Sequence, residues 1–394
     1  MNVLVIADSY QMPDRASGDL RCFTLLTLMA KKHRLVYCAL NANGSVQQPN
    51  QYAELLQQHG ITLGDFDLPH VLKQFRPDLV WFEFHHQARA DYCKLLQRYC
   101  PKAKILIDSV DIHFNRMEAR ARLTNDPKDQ TAAHKMKERE LAAYVRGDLV
   151  IAVSDDDRLI LKKHLPSVPV AVIPNIHSVP EFPDPLNRTY GELVFVGNFT
   201  HDPNVDAILY FCRDVMPRIV ASHPEARLNI IGNEPPDDIL KLQSHCVNVL
   251  GYVPDTKPFF HKAFISIAPL RYGGGMKGKV GEAMSYGLPV VTTSFGAEGF
   301  GLVANRDLLI GDDAISFANQ VCALLDNSEL YNRISKNGYD FIKRNYSLPA
   351  VEQILDSTLE HLDSLPPRKI RLSHRLTTSF RYLYERHLAW RLPN

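Results

Sequence analysis

Two hydrophobic rhythms alternate along this 394-residue chain. Short runs rich in Val, Ile and Leu cover Asn2-Ala7, Arg34-Ala39, Leu79-Phe84, Lys104-Ile107, Leu149-Val153 and Val170-Ile173. Between them lie longer stretches whose apolar positions recur at helical spacing. Runs this apolar have no face left for water, so they read as strands buried on both sides, as in a parallel sheet covered by helices. Regular spacing stops at Ser178-Val179-Pro180-Glu181-Phe182-Pro183-Asp184-Pro185-Leu186-Asn187, where three prolines interrupt any element and mark a linker. The rhythm restarts with Glu192-Val196, Arg227-Ile231, Val247-Leu250, Phe264-Ala268, Pro289-Thr293 and Leu308-Ile310.

The pattern predicts an α/β chain of two doubly wound, Rossmann-like domains at 1–180 and 190–346. A segment of helices and basic tail, 347–394, is expected to pack back on the first domain. Length agrees, because a single core seldom organises more than about 250–300 residues. Two such domains leave a cleft, where ligands are expected.

Composition changes the picture little. Apolar residues make up 45%, charged residues 23%, and the formal net charge is +1, so no global signal points to disorder or to nucleic acid as a partner. Seven cysteines at positions 22, 38, 93, 100, 212, 246 and 322 form no C-x-x-C pair, which fits a reducing cytoplasm rather than a disulfide framework or zinc knuckle. No apolar run approaches the 18 or so residues needed to cross a bilayer. From Arg368 to Asn394 the tail carries seven Arg or Lys against one Glu, with Leu372, Leu376, Phe380, Leu383 and Leu388 near helical spacing. This reads first as a helix packed on the body. Its alternative is peripheral contact with the inner face of a membrane, where lipid-linked acceptors sit.

The chemistry concentrates between Ala268 and Val291. A buried strand there ends in Arg271-Tyr272-Gly273-Gly274-Gly275-Met276-Lys277-Gly278-Lys279 and enters a short helix that Gly287 closes. Glycines let backbone N–H groups approach an anion, and a helix start adds positive partial charge. Lys277 and Lys279 in the first turn oppose the helix dipole, which points to a negative ligand such as a diphosphate. Glu282, a turn on, can take two adjacent ribose hydroxyls. Gly-rich connections also occur as plain caps, and the glycines alone do not decide.

The run Gly273 to Val291, with Lys279-Val280-Gly281-Glu282-Ala283-Met284 and Gly287-Leu288-Pro289-Val290-Val291, closely resembles the donor motif of glycosyltransferase family 4. Further landmarks follow in the family's order: Ser17-Gly18-Asp19-Leu20-Arg21, Asp108-Ser109-Val110-Asp111-Ile112-His113, Val153-Ser154, Ile173-Pro174-Asn175, Val196-Gly197-Asn198 and Gly296-Ala297-Glu298-Gly299. The similarity covers roughly residues 1–360, in the Gly-rich-loop subset of these retaining enzymes. It implies the GT-B fold, two Rossmann-like domains facing each other across a cleft. It also implies transfer of a hexose from a nucleotide sugar to a glycan or lipid-linked acceptor, without a metal or other cofactor.

By the same resemblance, Glu282 holds the ribose, Gly273, Gly274 and Gly275 with Met276 hold sugar and phosphates, and Lys279 neutralises the diphosphate. Gly18 leaves room for the donor from the first domain, together with Gly197 and Asn198 from the second. His113 reaches the donor sugar and Asp111 orients that region. Two departures stand out. Gly274 replaces a glutamate that many members carry eight positions before Glu282, and Asn198-Phe199-Thr200-His201-Asp202-Pro203-Asn204 lacks the usual Arg and Lys, leaving Arg271, Lys277 and Lys279 to carry the charge. Glu83 and His85, expected on one face at a strand end, and Arg116 are acceptor candidates; a metal at Glu83 and His85 lacks an evident third ligand. Asp155-Asp156-Asp157 after Ser154 reads as helix capping. Two other readings stay open, a nucleotide-sugar epimerase of the same fold and a non-catalytic nucleotide-sugar-binding protein. The base, sugar, acceptor and oligomeric state are not encoded in any motif.

Overall fold

Every apolar run identified above forms a strand in the computed structural model, which describes residues 1–14, 17–40, 51–64, 67–183, 188–273 and 276–366. The described chain falls into two compact units. One comprises Met1–Pro174 together with the chain from Glu352, and the other Asn175–Val351. The basic tail from Arg368 lies outside the described residues, as do Gly274 and Gly275.

The first unit holds a parallel seven-stranded sheet built from β1 (Asn2–Ala7), β2 (Arg34–Ala39), β3 (Thr62–Leu63), β4 (Leu79–Glu83), β5 (Lys104–Asp108), β6 (Leu149–Ala152) and β7 (Val170–Val172). Its order is β3-β2-β1-β4-β5-β6-β7. Val3 pairs with Leu35 on one side and Leu79 on the other, so β1 is central, and Val3 to Ala7 are fully buried. Strand β3 was not expected: at two residues it is too short to leave a periodic trace. From Glu352 onward the last described helix, Leu348–Ser364, is tied to this unit by Lys32, whose Nζ lies 3.1 Å from Glu352 and 2.6 Å from Asp356.

The second unit repeats the design with six parallel strands: β8 (Glu192–Val196), β9 (Arg227–Ile231), β10 (Val247–Gly251), β11 (Ile265–Ala268), β12 (Val290–Thr292) and β13 (Leu309–Ile310). Their order is β10-β9-β8-β11-β12-β13. In both sheets the chain winds outward one way from a first strand, then returns to wind the other way. This creates a switch point between β1 and β4 and another between β8 and β11. Loops leaving the carboxyl ends of such strand pairs diverge, and the gap they leave is where open α/β sheets bind ligands.

The acidic triplet caps a helix. Ser154 accepts the Asp157 amide at 3.1 Å, and Asp155, Asp156 and Asp157 fill the first turn of Asp155–His164, where carboxylates favour the helix dipole.

A buried ion pair binds the first unit together. Arg21, in the helix Ser17–Ala30, reaches Asp108 at the end of β5 over 2.8 Å, both side chains being fully buried. Its remaining donors serve the Ile173 carbonyl at 2.8 and 3.1 Å and that of Pro174 at 3.3 Å. Charges persist in an interior only when paired and hydrogen-bonded in this way. Asp108→Asn leaves the guanidinium unpaired and should cost about 3–5 kcal/mol. Urea denaturation followed by the fluorescence of Trp81, buried on the neighbouring β4, measures this; a loss below about 1 kcal/mol would mean the pair contributes little.

Candidate functional site

At the switch point of the second unit, Gly197 follows β8 directly and Gly232 follows β9. A Cβ on Gly232 would lie 1.8 Å from the Gly197 carbonyl oxygen, so the two turns touch backbone to backbone and no side chain fits at 232. A Cβ on Gly197 would stand 2.8 Å from the Lys279 ammonium. That ammonium comes from the helix Gly278–Ser285, entered after β11 with Lys277 in the capping position. The turn after β8 and the helix after β11 thus meet at one cation.

Lys279 is held there without a carboxylate. Its Nζ donates to Asn204 Oδ1 and lies 4.3 Å from the centre of the Phe195 ring. Among the described residues it makes no ion pair. Burial of the ammonium, and secondarily the nearby Lys277, push it down to about 7. An uncompensated buried charge of this kind stores free energy that an anion can release.

The other candidates divide. Lys277 is buried with Nζ 4.3 Å from the centre of the Phe295 ring, and Met276 is buried in the core beside it. Glu282 is half-buried, raised in pKa by that burial, and receives the Thr256 hydroxyl at 3.4 Å. Gly273 takes φ +140°, a backbone state that other residues rarely adopt. Asn198 turns its side chain back on the Thr200 amide at 3.0 Å. Arg271 is committed elsewhere: it forms a two-pronged pair with Asp206 and lies 4.8 Å over the Tyr210 ring, so the charge expected of it falls more heavily on the two lysines.

In the first unit, Gly18 begins the helix after β1, and a Cβ there would meet Val110 at 3.2 Å. Val110 itself has φ +57°, unusual for a β-branched residue; its amide donates to Asp108 Oδ1 at 3.2 Å. Asp111 pairs with Arg116 at 2.9 Å. His113 is the first residue of the helix His113–Thr124 and is half-buried; burial lowers its pKa against the opposing pull of Asp111 and Glu140.

Glu83 and His85 do not share a face. Phe84 takes φ +63°, which breaks the alternation of β4 and sends the two side chains apart. Glu83 is buried beneath the Gln11 amide at 2.5 Å and is pushed up to about 8 by burial, then by Asp108 and Asp19. His85 instead lies 3.2 Å from Glu140. Sequence reasoning did not single out Asn204, Phe195, Gly232, Arg21 or Glu140. Only Gly232 left a local sign, a glycine directly after a strand as at Gly197.

Known proteins resemble this chain in part of its sequence and in its fold. Residues 191–327, within the second unit, match the family model for glycosyl transferases group 1. A curated relative, an uncharacterized 44.6 kDa protein in the cps region of Klebsiella pneumoniae, is 28% identical over 163 residues, 39% of this chain; the aligned segment spans 42% of that protein. Sucrose-phosphate synthase from Thermosynechococcus elongatus superposes with a TM-score of 0.68 at 13% identity, over 93% of this chain and 100% of that one. Anabaena Alr3699/HepE, solved in complex with UDP, gives a TM-score of 0.65 at 13% identity, over 92% of this chain and 100% of that one. The fold is that of the GT-B proteins, and fold and family match together support a group 1 glycosyltransferase. No helix among the described residues is long and apolar enough to cross a membrane.

Lys279 generates a prediction in the absence of any ligand. A free lysine titrates near 10.4, whereas Lys279 titrates at about 7. Between those values the unfolded chain holds the extra proton, so stability rises with pH across that window. Lys279→Met should abolish this rise and raise the melting temperature at about pH 6, where the wild type carries the buried charge in full. Parallel melting curves for the two proteins across pH would refute the assignment.

Proposed function

We propose that this chain is a retaining glycosyltransferase that moves a hexose from a nucleoside diphosphate sugar to a glycan or lipid-linked acceptor in surface polysaccharide or glycoconjugate assembly. The observation that carries the proposal is the Lys279 ammonium, buried without a carboxylate where the turn after β8 meets the helix after β11. The group 1 family match over this unit, the UDP bound by HepE and the cps-region relative support it.

In this reading the diphosphate lies beside Gly273 and on Lys279, with Lys277 beside it, and Glu282 takes the ribose. As the glycosidic bond lengthens, the sugar becomes cation-like and the leaving diphosphate gains charge. A cation already desolvated and fixed stabilises that charge without reorganising. The departing phosphate can take the acceptor's proton. Lysine and helix dipole do the neutralising, so the chemistry asks for no metal. His113, with Asp111 beside it, is the first unit's candidate for the chemical step; Glu83 is too deeply buried to meet an acceptor directly, which leaves Arg116 and the surroundings of His85 as acceptor candidates.

Melting temperatures measured with a panel of nucleoside diphosphate sugars test the proposal. A cognate donor at 100 times its Kd should stabilise the fold by about 2.7 kcal/mol. Free nucleoside diphosphate should then appear slowly with donor alone and faster with acceptor. Interconversion of the donor without acceptor would favour an epimerase, and binding with no release a sensor. Glu282→Ala should weaken donor binding, whereas His113→Ala should lower turnover more than binding; unaltered kinetics in both variants would remove the site.

A further inference from the structure

We infer that Glu140 is a positioning residue: reaching from the helix Pro127–Tyr144, its carboxylate fixes the start of the helix His113–Thr124 and with it the direction of the His113 imidazole. The inference rests on the role of His113 proposed above.

The helix His113–Thr124 has no cap of its own. Ile112 occupies the capping position and offers no side-chain oxygen, so the first amides need an acceptor from elsewhere. Glu140, fully buried, supplies it across 27 residues of sequence. Its Oε1 accepts the His113 amide at 3.1 Å and its Oε2 the Phe114 amide at 2.6 Å. The Tyr144 hydroxyl donates to Oε1 at 3.1 Å, and His85 Nδ1 lies 3.2 Å from the same oxygen.

Burial alone would raise the Glu140 carboxyl, but His85, the Phe114 amide and His113 together hold it below the usual range, so it is ionised. A buried anion placed at a helix start is favoured by the dipole as well. His85, oriented by this carboxylate, presents its ring edge-on to His113, with centroids 5.1 Å apart and planes at 85°.

His85, His113 and Glu140 offer atoms within 4.8 Å of one another, an arrangement that could suit a metal ion. Oε1 already accepts an amide and the phenol, and Oε2 a second amide. In this inference the cluster serves as a hydrogen-bonded holder for the histidine. Charged or titratable groups facing His113 are Asp111 before its helix, Arg116 on the helix, Glu140 from the next helix, and His85 and His86 from the turn after β4.

Glu140→Gln keeps the shape and removes the charge. The titration of His113, followed by NMR on histidine-labelled protein and assigned by comparison with His113→Asn, should move to lower pH, because Glu140 pulls that titration upward. The acidic limb of the turnover profile should move with it, and kcat should fall about 10- to 100-fold with little change in KM for the donor. Glu140→Asp, which restores the charge, should recover the titration in part. A histidine titration unchanged in Glu140→Gln overturns the inference. A shifted titration with an unchanged turnover profile upholds the holder and sinks the proposed role of His113 instead. Should the variants not fold, hydrogen exchange in the wild type decides: the His113 and Phe114 amides should be protected although they lie in a first helical turn, and free exchange at both would overturn the inference.

Discussion

A desolvated ammonium without a carboxylate beside it sets the terms for the second unit. Removing a lysine charge from water is costly, and a fold normally answers with an ion pair or lets the lysine stay at the surface. Here the answer is incomplete: Asn204 offers one amide oxygen and Phe195 a ring face, both weaker than a carboxylate. A desolvated cation left in this way costs stability, a trade more common in binding sites than in structural ones. β8 and β11 are neighbours at the reversal of the strand order, and the turn after one meets the helix after the other at Lys279.

The glycines around the cation matter through what they leave out. Gly197 and Gly232 let two backbones cross within contact distance, and the space a side chain would fill above Gly197 is the space the lysine head uses. In the first unit an analogous economy appears in charge. Arg21 and Asp108 neutralise each other and anchor the segments around Gly18 and Val110, so the strained Val110 backbone is held by bonds on either side.

Much of this was readable from the chain alone. Twelve strands declared themselves because a strand buried on both faces must be apolar throughout; the Lys279 to Glu282 segment drew attention as a candidate because glycine, lysine and acid follow one another locally. What stayed hidden depends on distant residues meeting. Asn204 reaches Lys279 across 75 positions and Arg21 reaches Asp108 across 87, and neither leaves a periodic trace. The face shared by Glu83 and His85 failed for a local reason: alternation holds only while φ stays negative, and Phe84 reverses it. The pairing of Arg271 with Asp206 could not be foreseen, because a free cation and one already paired look alike in sequence.

The protonated acid at the end of β4 makes the stability of the first unit depend on pH between the acid and neutral ranges. Glu83 keeps its proton to about 8, while an unfolded glutamate loses it near 4.3, so the folded state binds the extra proton throughout that interval and is progressively weakened as pH climbs. Lys279 acts in the opposite sense over its own interval. The two units therefore answer rising pH with opposite slopes in successive intervals, the first losing stability up to about 8 and the second gaining it from about 7 to about 10.4.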